Sequence, residues 1–273
     1  MAIKPRLLAA LALAASCLAG PAQAHFQLLY VPETTLHRGE NLEFAIVFTH
    51  PYAGGPVMAM PEPRAFDLIS RSGVSRTDLR KYLRPVQWHS QQKGAAAYRA
   101  SIPRDLVRTL GDHVFVLEPE PYLEAEEGLY IQQITKVIVN VGGVPGAWSE
   151  AVGLPAEIQP LNKPYANWTG GVFRGVVLSE GKPVPFAKVE IEYLNHPVDL
   201  DANALSPDAE VTAPHPAFEV QSAYADAQGV ITVGLPRAGW WGIAALSVGP
   251  TQTYQGKQLS QDAVLWIQAK DIK

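Results

Sequence analysis

The clearest strand signal in the chain is the decapeptide Asn41-Leu42-Glu43-Phe44-Ala45-Ile46-Val47-Phe48-Thr49-His50. Large apolar side chains occupy its even positions up to Phe48, and the odd positions carry smaller or polar residues such as Glu43 and Thr49. Because successive side chains of a strand point to opposite faces, this pattern predicts a β-strand with one face in a core. His50 ends the strand on the core side, directly before Pro51.

The rest of the chain is divided into short segments of the same kind. Its 273 residues include 23 prolines and 22 glycines, spread evenly along the sequence. Frequent turn residues between short β-patterned runs are typical of all-β proteins and disfavour a helical bundle. We therefore predict an all-β fold of two consecutive β-sandwich domains, the first of them immunoglobulin-like, behind a cleaved signal peptide.

A proline-rich segment separates the two predicted domains. Pro155, Pro160 and Pro164 have the spacing of a linker, although the intervening Ile158 indicates that the segment packs on a surface. The N-terminal β-sandwich is therefore predicted at residues 25–160 and the C-terminal one at residues 165–273.

Residues 1–24 have the pattern of a secretory signal peptide. A basic start with Lys4 precedes an apolar run over residues 7–18, and small residues lead to the predicted cleavage site between Ala24 and His25. The apolar run is too short for a membrane-spanning helix, which takes about 20 residues. We expect cleavage before His25 and a periplasmic protein.

The only cysteine of the chain allows a second interpretation of this segment. Cys17 would be the lipidated residue of a lipoprotein signal, but Ala14 stands three residues before it, where such signals usually carry leucine. We favour cleavage before His25. The mature chain then has no cysteine, so a bound metal would be held by nitrogen, oxygen or thioether sulfur.

Composition and motifs argue against several other functions. The formal net charge is −4 and no basic cluster is present, so we expect no nucleic-acid partner. Beyond residue 24, no apolar run is long enough to span a membrane. The sequence lacks a Gly-x-Ser-x-Gly elbow, a Walker loop, a dinucleotide-binding fingerprint and a His-Glu-x-x-His motif. We therefore do not predict an enzyme.

Cleavage before His25 would give this one residue two nitrogen donors. Its imidazole and its free α-amino group can close a chelate ring on a transition-metal ion. Such an amine has an ordinary pKa near 8. A metal must displace its proton, so binding is expected to weaken below about pH 7. In the competing interpretation the histidine is incidental, because signal peptidase tolerates many residues at this position.

Five further side chains are candidate partners of this chelate. His50 ends the strand quoted above, although a histidine there can equally be a hydrogen-bonded core residue. Met58 and Met60 follow in the next loop, where thioether ligation competes with plain apolar packing. Glu118 and Glu120 offer carboxylate oxygen, unless they only form a solvated acidic edge. The candidate metal ligands are thus His25, His50, Met58, Met60, Glu118 and Glu120.

A set of motifs spread over nearly the whole mature chain resembles a known family. The motifs are His25-Phe26-Gln27, Phe48-Thr49-His50-Pro51, Met58-Ala59-Met60, Glu118-Pro119-Glu120-Pro121-Tyr122, Thr135-Lys136-Val137, Gly153-Leu154-Pro155, Gly181-Lys182-Pro183-Val184, Ala238-Gly239-Trp240-Trp241-Gly242 and Ala263-Val264-Leu265-Trp266. In combination they resemble the NikK-type periplasmic proteins, within a family of unknown-function domains associated with nickel and cobalt uptake. The second half is also similar to a prealbumin-like sandwich.

The resemblance implies a periplasmic protein that binds Ni2+ and serves the membrane components of an energy-coupling-factor type transporter. Co2+ is the second metal, and Cu2+ is an alternative because it binds nitrogen donors more tightly than nickel does. One departure matters: the family often carries a histidine shortly before Thr-Lys-Val, where this chain has Gln133. The site here would be rebuilt, weaker or specific for another metal.

Two other functions stay open at this point. His25 and His50 supply the three nitrogens of a histidine brace, which would hold copper for oxidative chemistry. Alternatively, the chain is a structural or adhesive two-sandwich protein in which His25 is incidental. That interpretation predicts no useful metal affinity and no effect of an extra residue before His25.

Overall fold

The computed structural model describes residues 25–70 and 75–272, so the predicted signal peptide, residues 1–24, lies outside the described residues. The strands of the first half are β1 (Phe26–Tyr30), β2 (Thr35–Leu36), β3 (Leu42–Thr49), β4 (Val57–Met58), β5 (Ala65–Ser70), β6 (Ser75–Asp78), β7 (Leu83–Trp88), β8 (Ala95–Ile102), β9 (Gly111–Glu118), β10 (Tyr122–Glu124) and β11 (Leu129–Val141).

The strands that follow are β12 (Ala156–Pro160), β13 (Asn167–Trp168), β14 (Gly171–Ser179), β15 (Lys182–Pro183), β16 (Lys188–Tyr193), β17 (Val198–Asp199), β18 (Ala204–Leu205), β19 (Val220–Tyr224), β20 (Val230–Leu235), β21 (Gly239–Ala245), β22 (Thr253–Tyr254) and β23 (Lys257–Lys270). Short 3-10 helices cover Arg80–Tyr82, Arg104–Leu106 and Pro216–Phe218. Within the described ranges, no helix is long and apolar enough to span a membrane.

Most strands belong to three sheets. The N-terminal sheet has the order β1-β3-β8-β7, with β4 paired to β3, and the C-terminal sheet has the order β12-β14-β15, with β20 paired to β14. The central sheet has the order β19-β16-β21-β23-β11-β9-β5-β6. It therefore contains strands from both halves of the chain.

The central sheet packs on both of its faces. Val137 and Val139 of β11 share one core with Phe44 of β3, so this face of the central sheet covers the N-terminal sheet. Ile138 of β11 points to the opposite face and shares a second core with Phe173 of β14 in the C-terminal sheet. The alternation along β11 thus builds two sandwiches on one shared layer, and the prediction of an all-β sandwich fold is confirmed.

The predicted domain boundary falls beside this shared layer. Strand β11 pairs in parallel with β23, from Tyr130 opposite Leu259 to Val137 opposite Trp266. Strand β12, which the predicted boundary assigns to the first domain, pairs with β14. The division into residues 25–160 and 165–273 stays a prediction, and the hydrogen-bonded central sheet continues across it.

Two strands position the N-terminal end of the described chain. The predicted strand over residues 41–50 is observed as β3, and β1 lies antiparallel beside it with Phe26 opposite Thr49. The residues that flank this pair, His25 and His50, therefore leave the sheet at the same place.

Candidate metal centre

His25 and His50 lie side by side at the end of the β1–β3 ladder. Their ring centroids are 4.5 Å apart, with the planes tilted by 54°. His50 is buried, whereas His25 is half-buried. The register of two antiparallel strands is what brings the rings together, because residues 25 and 50 continue the paired positions 26 and 49.

Glu124 is a partner of His25 that the sequence reasoning missed. Its Oε2 lies 3.0 Å from Nε2 of His25. The carboxylate stands at the end of β10, which is held by pairing with β11. Its only sequence signal is membership of the acidic stretch over residues 118–127. A carboxylate at this distance fixes the orientation of the imidazole ring and favours a proton on Nε2.

Two aromatic rings border the histidine pair. The ring of Phe48 lies 5.6 Å from that of His25, and the ring of Tyr122 lies 6.3 Å from it, both measured between centroids. Phe48 and Tyr122 also contact each other edge-on at 5.3 Å. These rings line one side of a small cleft next to His25.

The two predicted methionine ligands are both buried in the first core. Met60 lines the same cleft, where the side-chain amide of Gln27 donates a long hydrogen bond of 3.5 Å to its Sδ. Met58 lies opposite Phe48 in the β3–β4 ladder and packs into the first core. Met60 is thus the methionine that the structure places beside the cleft.

The two predicted glutamate ligands lie at the end of β9 and just after it. Glu118 ends β9, opposite Ala65 of β5. Glu120 lines the cleft and forms an ion pair of 2.8 Å with Arg64. The hydrogen bond from this guanidinium is the main reason why the pKa of Glu120 is lowered from its ordinary value. The carboxylate of Glu120 is therefore already engaged by a cation.

A buried glutamine holds the backbone at His25. The side-chain amide of Gln133 donates to the carbonyl oxygen of His25 at 2.7 Å and accepts from the backbone N–H of Gln27 at 2.7 Å. Its Nε2 also lies 3.3 Å from Oδ2 of the buried Asp262 on β23. The residue at which the sequence departs from the expected histidine is thus an anchor of the main chain.

The loop after His50 is fixed by strand β16 and the residues that follow it. The backbone N–H of Tyr52 donates to Oε1 of Glu192 at 2.7 Å, and Asn195 donates to the carbonyl oxygen of Tyr52 at 3.2 Å. Glu192 is fully buried, and desolvation raises its pKa well above the ordinary value. Residues from the second half of the chain therefore determine where this loop runs.

Two of the other histidines are buried and hydrogen-bonded. His113 is buried and its Nε2 lies 2.9 Å from the carbonyl oxygen of Thr109, and burial lowers its pKa. Nδ1 of His196 lies 2.8 Å from the carbonyl oxygen of Ser206. Across residues 25–70 and 75–272, no three side chains of His, Cys, Asp or Glu come together in a group that could hold a metal ion.

Comparison with solved structures gives many weak likenesses. The D0–D1 domain of intimin is 10% identical, with a TM-score of 0.22 over 87% of this chain and 95% of that one. Domains A168–A170 of titin are 10% identical, with a TM-score of 0.21 over 87% of this chain and 62% of that one. Trypsin-activated alpha-2-macroglobulin from Escherichia coli is 11% identical, with a TM-score of 0.25 over 91% of this chain and 16% of that one. TM-scores of this size do not establish a shared topology.

Comparison with sequences gives one family. No curated protein matches the chain. The family described as "Domain of unknown function (DUF4198)" matches residues 22–249, which is most of the chain. The protein therefore belongs to the DUF4198 family of domains of unknown function.

Proposed function

We propose that the mature protein, beginning at His25, binds a divalent transition metal in the periplasm and delivers it for uptake. Ni2+ is the first candidate and Co2+ the second. The observation that carries the proposal is the 4.5 Å separation of the His25 and His50 rings, at the position where cleavage would free an α-amino group. Binding and delivery, rather than catalysis, is the proposed role.

The donors suit a borderline metal ion. After cleavage, the amine and Nδ1 of His25 would close a six-membered chelate ring, and His50 would add a second imidazole. Imidazole and amine nitrogens suit nickel, cobalt and copper. One of these proposed donors, the terminal amine, is not a side chain, and it exists only after cleavage before His25.

The contact between Glu124 and Nε2 of His25 supports this assignment. When Nδ1 binds a metal, Nε2 carries the proton and points away from it. Carboxylates that accept from the second nitrogen of a metal-bound histidine orient the ring and make it a stronger ligand. The 3.0 Å distance to Glu124 fits this arrangement without any movement of the carboxylate.

The surroundings limit the other predicted ligands. Glu120 is paired with Arg64, and Met58 is not among the residues that line the cleft. Met60 is the thioether beside the cleft, so it is the remaining candidate for a soft ligand. We propose His25 and His50 as the principal ligands, with Met60 as an additional one.

The decisive experiment compares two mature proteins that differ by one residue. The first begins at His25, and the second carries one additional glycine before it. Titration with Ni2+, followed by calorimetry, should show binding that the extra glycine weakens by at least about tenfold, because it removes the amine from the chelate ring. Equal binding by the two proteins would contradict a site built on the His25 amine.

The same proteins separate the alternative functions. Titration with Cu2+ is expected to give the tighter complex, as the Irving–Williams order requires. Peroxide-dependent oxidation by the copper form would favour a histidine-brace enzyme. Absence of measurable binding by Ni2+, Co2+ and Cu2+ would favour a structural or adhesive protein.

The partners proposed for delivery are the membrane components of an energy-coupling-factor type nickel or cobalt transporter. Cellular nickel accumulation by a strain that lacks this protein, with and without the His50→Ala variant supplied in trans, tests the role. We expect the strain to lose nickel uptake. The wild-type protein should restore uptake, and His50→Ala should not.

A further inference from the structure

Among the residues that the structure describes, strand β1 has a strand neighbour on one side only. It pairs with β3 and stands at the end of the N-terminal sheet. In an extended strand, the carbonyl oxygen of one residue and the N–H two residues later point to the same side. The carbonyl oxygen of His25 and the N–H of Gln27 therefore lie together on the edge of β1 that β3 does not cover.

The side chain of Gln133 covers this edge in the way that a neighbouring strand would. Its Oε1 accepts from the N–H of Gln27, and its Nε2 donates to the carbonyl oxygen of His25, both at 2.7 Å. Trp266 completes the edge, because its indole N–H donates to the carbonyl oxygen of Gln27 at 2.8 Å. The carboxamide of Asn or Gln carries an N–H donor and a C=O acceptor side by side, as a peptide group does.

A buried carboxylate, that of Asp262, fixes the orientation of the Gln133 carboxamide. Asp262 is buried, and its Oδ2 lies 3.3 Å from Nε2 of Gln133. Its Oδ1 accepts from the backbone N–H of Ser247 at 2.8 Å and from the hydroxyl of Ser260 at 2.6 Å. Because a carboxylate oxygen only accepts hydrogen bonds, it faces the NH2 side of the carboxamide and directs the opposite side, Oε1, towards Gln27.

We infer that Gln133 is a positioning residue for the metal centre and does not itself bind the metal. The inference rests on the proposed function. The carbonyl carbon of His25 is bonded to the Cα that carries both the α-amine and the imidazole arm. Holding this carbonyl therefore holds the point from which both donors of the chelate extend. Gln133 is thus a rebuilt support at the position where the family resemblance implies a histidine.

The neighbouring Gln132 is a matched control. It is buried on the same strand and also makes two hydrogen bonds, donating to the carbonyl oxygen of Pro119 at 2.8 Å and accepting from Gln261 at 2.8 Å. The described contacts of Gln132 do not include His25. Gln132→Leu and Gln133→Leu therefore remove the same kind of buried network from the same strand.

The first measurement is Ni2+ affinity of the mature variants. Gln133→Leu should lower the affinity by about 10- to 100-fold, as the loss of supporting hydrogen bonds around metal ligands typically does. Gln132→Leu should bind as the wild type does, even if its unfolding midpoint in urea falls to a similar extent. An affinity loss in Gln133→Leu no larger than in Gln132→Leu overturns the inference.

The second measurement uses the metal-free protein and separates this inference from the proposed function. Hydrogen exchange followed by NMR should show a protected Gln27 amide in the wild type and in Gln132→Leu, and a rapidly exchanging one in Gln133→Leu. If the wild type binds no metal, the proposed function fails, and with it the role of Gln133 as support for a metal centre. An equally protected Gln27 amide in all three proteins would show that Gln133 is not the anchor.

Discussion

At the scale of single residues, Glu192 gives the fold a pH dependence. Burial raises the pKa of this carboxyl well above its ordinary value, so the folded protein keeps the proton more tightly than the unfolded chain. As the pH rises from the ordinary glutamate pKa of about 4.3, the unfolded chain loses its proton first, and this group makes the free energy of unfolding fall.

Glu192→Gln should remove this fall. The variant keeps an oxygen that accepts from the N–H of Tyr52, but it has no proton to lose. Urea unfolding between about pH 4.5 and 8 is expected to show a shallower loss of stability than in the wild type. The solvent-exposed Glu150→Gln is the control and should keep the wild-type slope. Parallel pH profiles for wild type and Glu192→Gln would contradict the assignment.

Some residues of the candidate site could be predicted from the sequence and others could not. His25 and His50 could be paired from the sequence, because one follows a cleavage pattern and the other ends a strongly alternating strand. Glu124 and the anchoring role of Gln133 could not. Both depend on where β10 and β11 lie relative to β1, and that position follows from pairings between residues more than 100 positions apart in the sequence.

At the scale of elements, strand β21 comes very close to β1 at Gly242. A Cβ added there would lie 2.8 Å from Cη2 of Trp266 and 2.9 Å from the ring of Phe26. Both rings are fully buried, so neither can move freely. The glycine lets the second half of the chain support the ring that directly follows His25.

Gly242→Ala should therefore disturb both the fold and the proposed metal centre. We expect destabilisation of about 1–3 kcal/mol from overpacking, together with weaker Ni2+ binding, because Phe26 must shift and His25 with it. Gly234→Ala in strand β20 is the control, since an added Cβ there meets nothing within 4 Å. Thermal unfolding and nickel titration of both variants test this. Equal melting temperatures for the two variants would show that the rings accommodate the methyl group.

Strand boundaries were easier to predict than their partners. The alternating stretch at residues 41–50 is observed as β3. The segment from Pro155 to Pro164 has linker composition, yet its residues Ala156–Pro160 form β12. Proline at a strand end is compatible with pairing on one side, so composition alone could not distinguish a linker from an edge strand.

At the scale of the whole molecule, one buried ion pair joins the central sheet to the C-terminal sheet. Nζ of Lys136 in β11 lies 2.6 Å from Oε1 of Glu157 in β12, and each side chain is only 2% exposed. Burial is the main influence on Lys136 and lowers its pKa, against the opposing effect of Glu157. The free energy of unfolding depends strongly on both partners of such a pair, because removing one leaves the other as an unpaired charge buried in a core.

Removing both charges together should cost less than the sum of the two single removals. Lys136→Met is expected to destabilise the fold by about 3–5 kcal/mol, because it leaves a buried carboxylate. The double variant Lys136→Met/Glu157→Gln should lose less than the sum of the two single variants. Arg80→Met, which breaks the exposed pair with Asp78, is the control and should change little. Additive losses in chemical denaturation would contradict this coupling.

The shared central sheet is the part of the architecture that the sequence did not indicate. Two consecutive sandwiches follow from turn spacing, but nothing local to β11 specifies a parallel partner as distant as β23. Both faces of β11 are buried from Gln132 onwards, but this stretch includes the polar residues Gln132, Gln133, Thr135, Lys136 and Asn140, so its sequence does not reveal the second covered face. Strands covered on both faces are typical of a middle layer.

The hydrogen bond between the indole of Trp266 in β23 and the backbone of β1 has a consequence for biosynthesis. The ribosome makes Gln27 before Trp266, which lies 239 residues later in the chain and whose indole N–H donates to the carbonyl oxygen of Gln27. Under the proposed function, a product that ends before Trp266 would lack this contact on the backbone beside His25 and should bind Ni2+ more weakly than the longer chain.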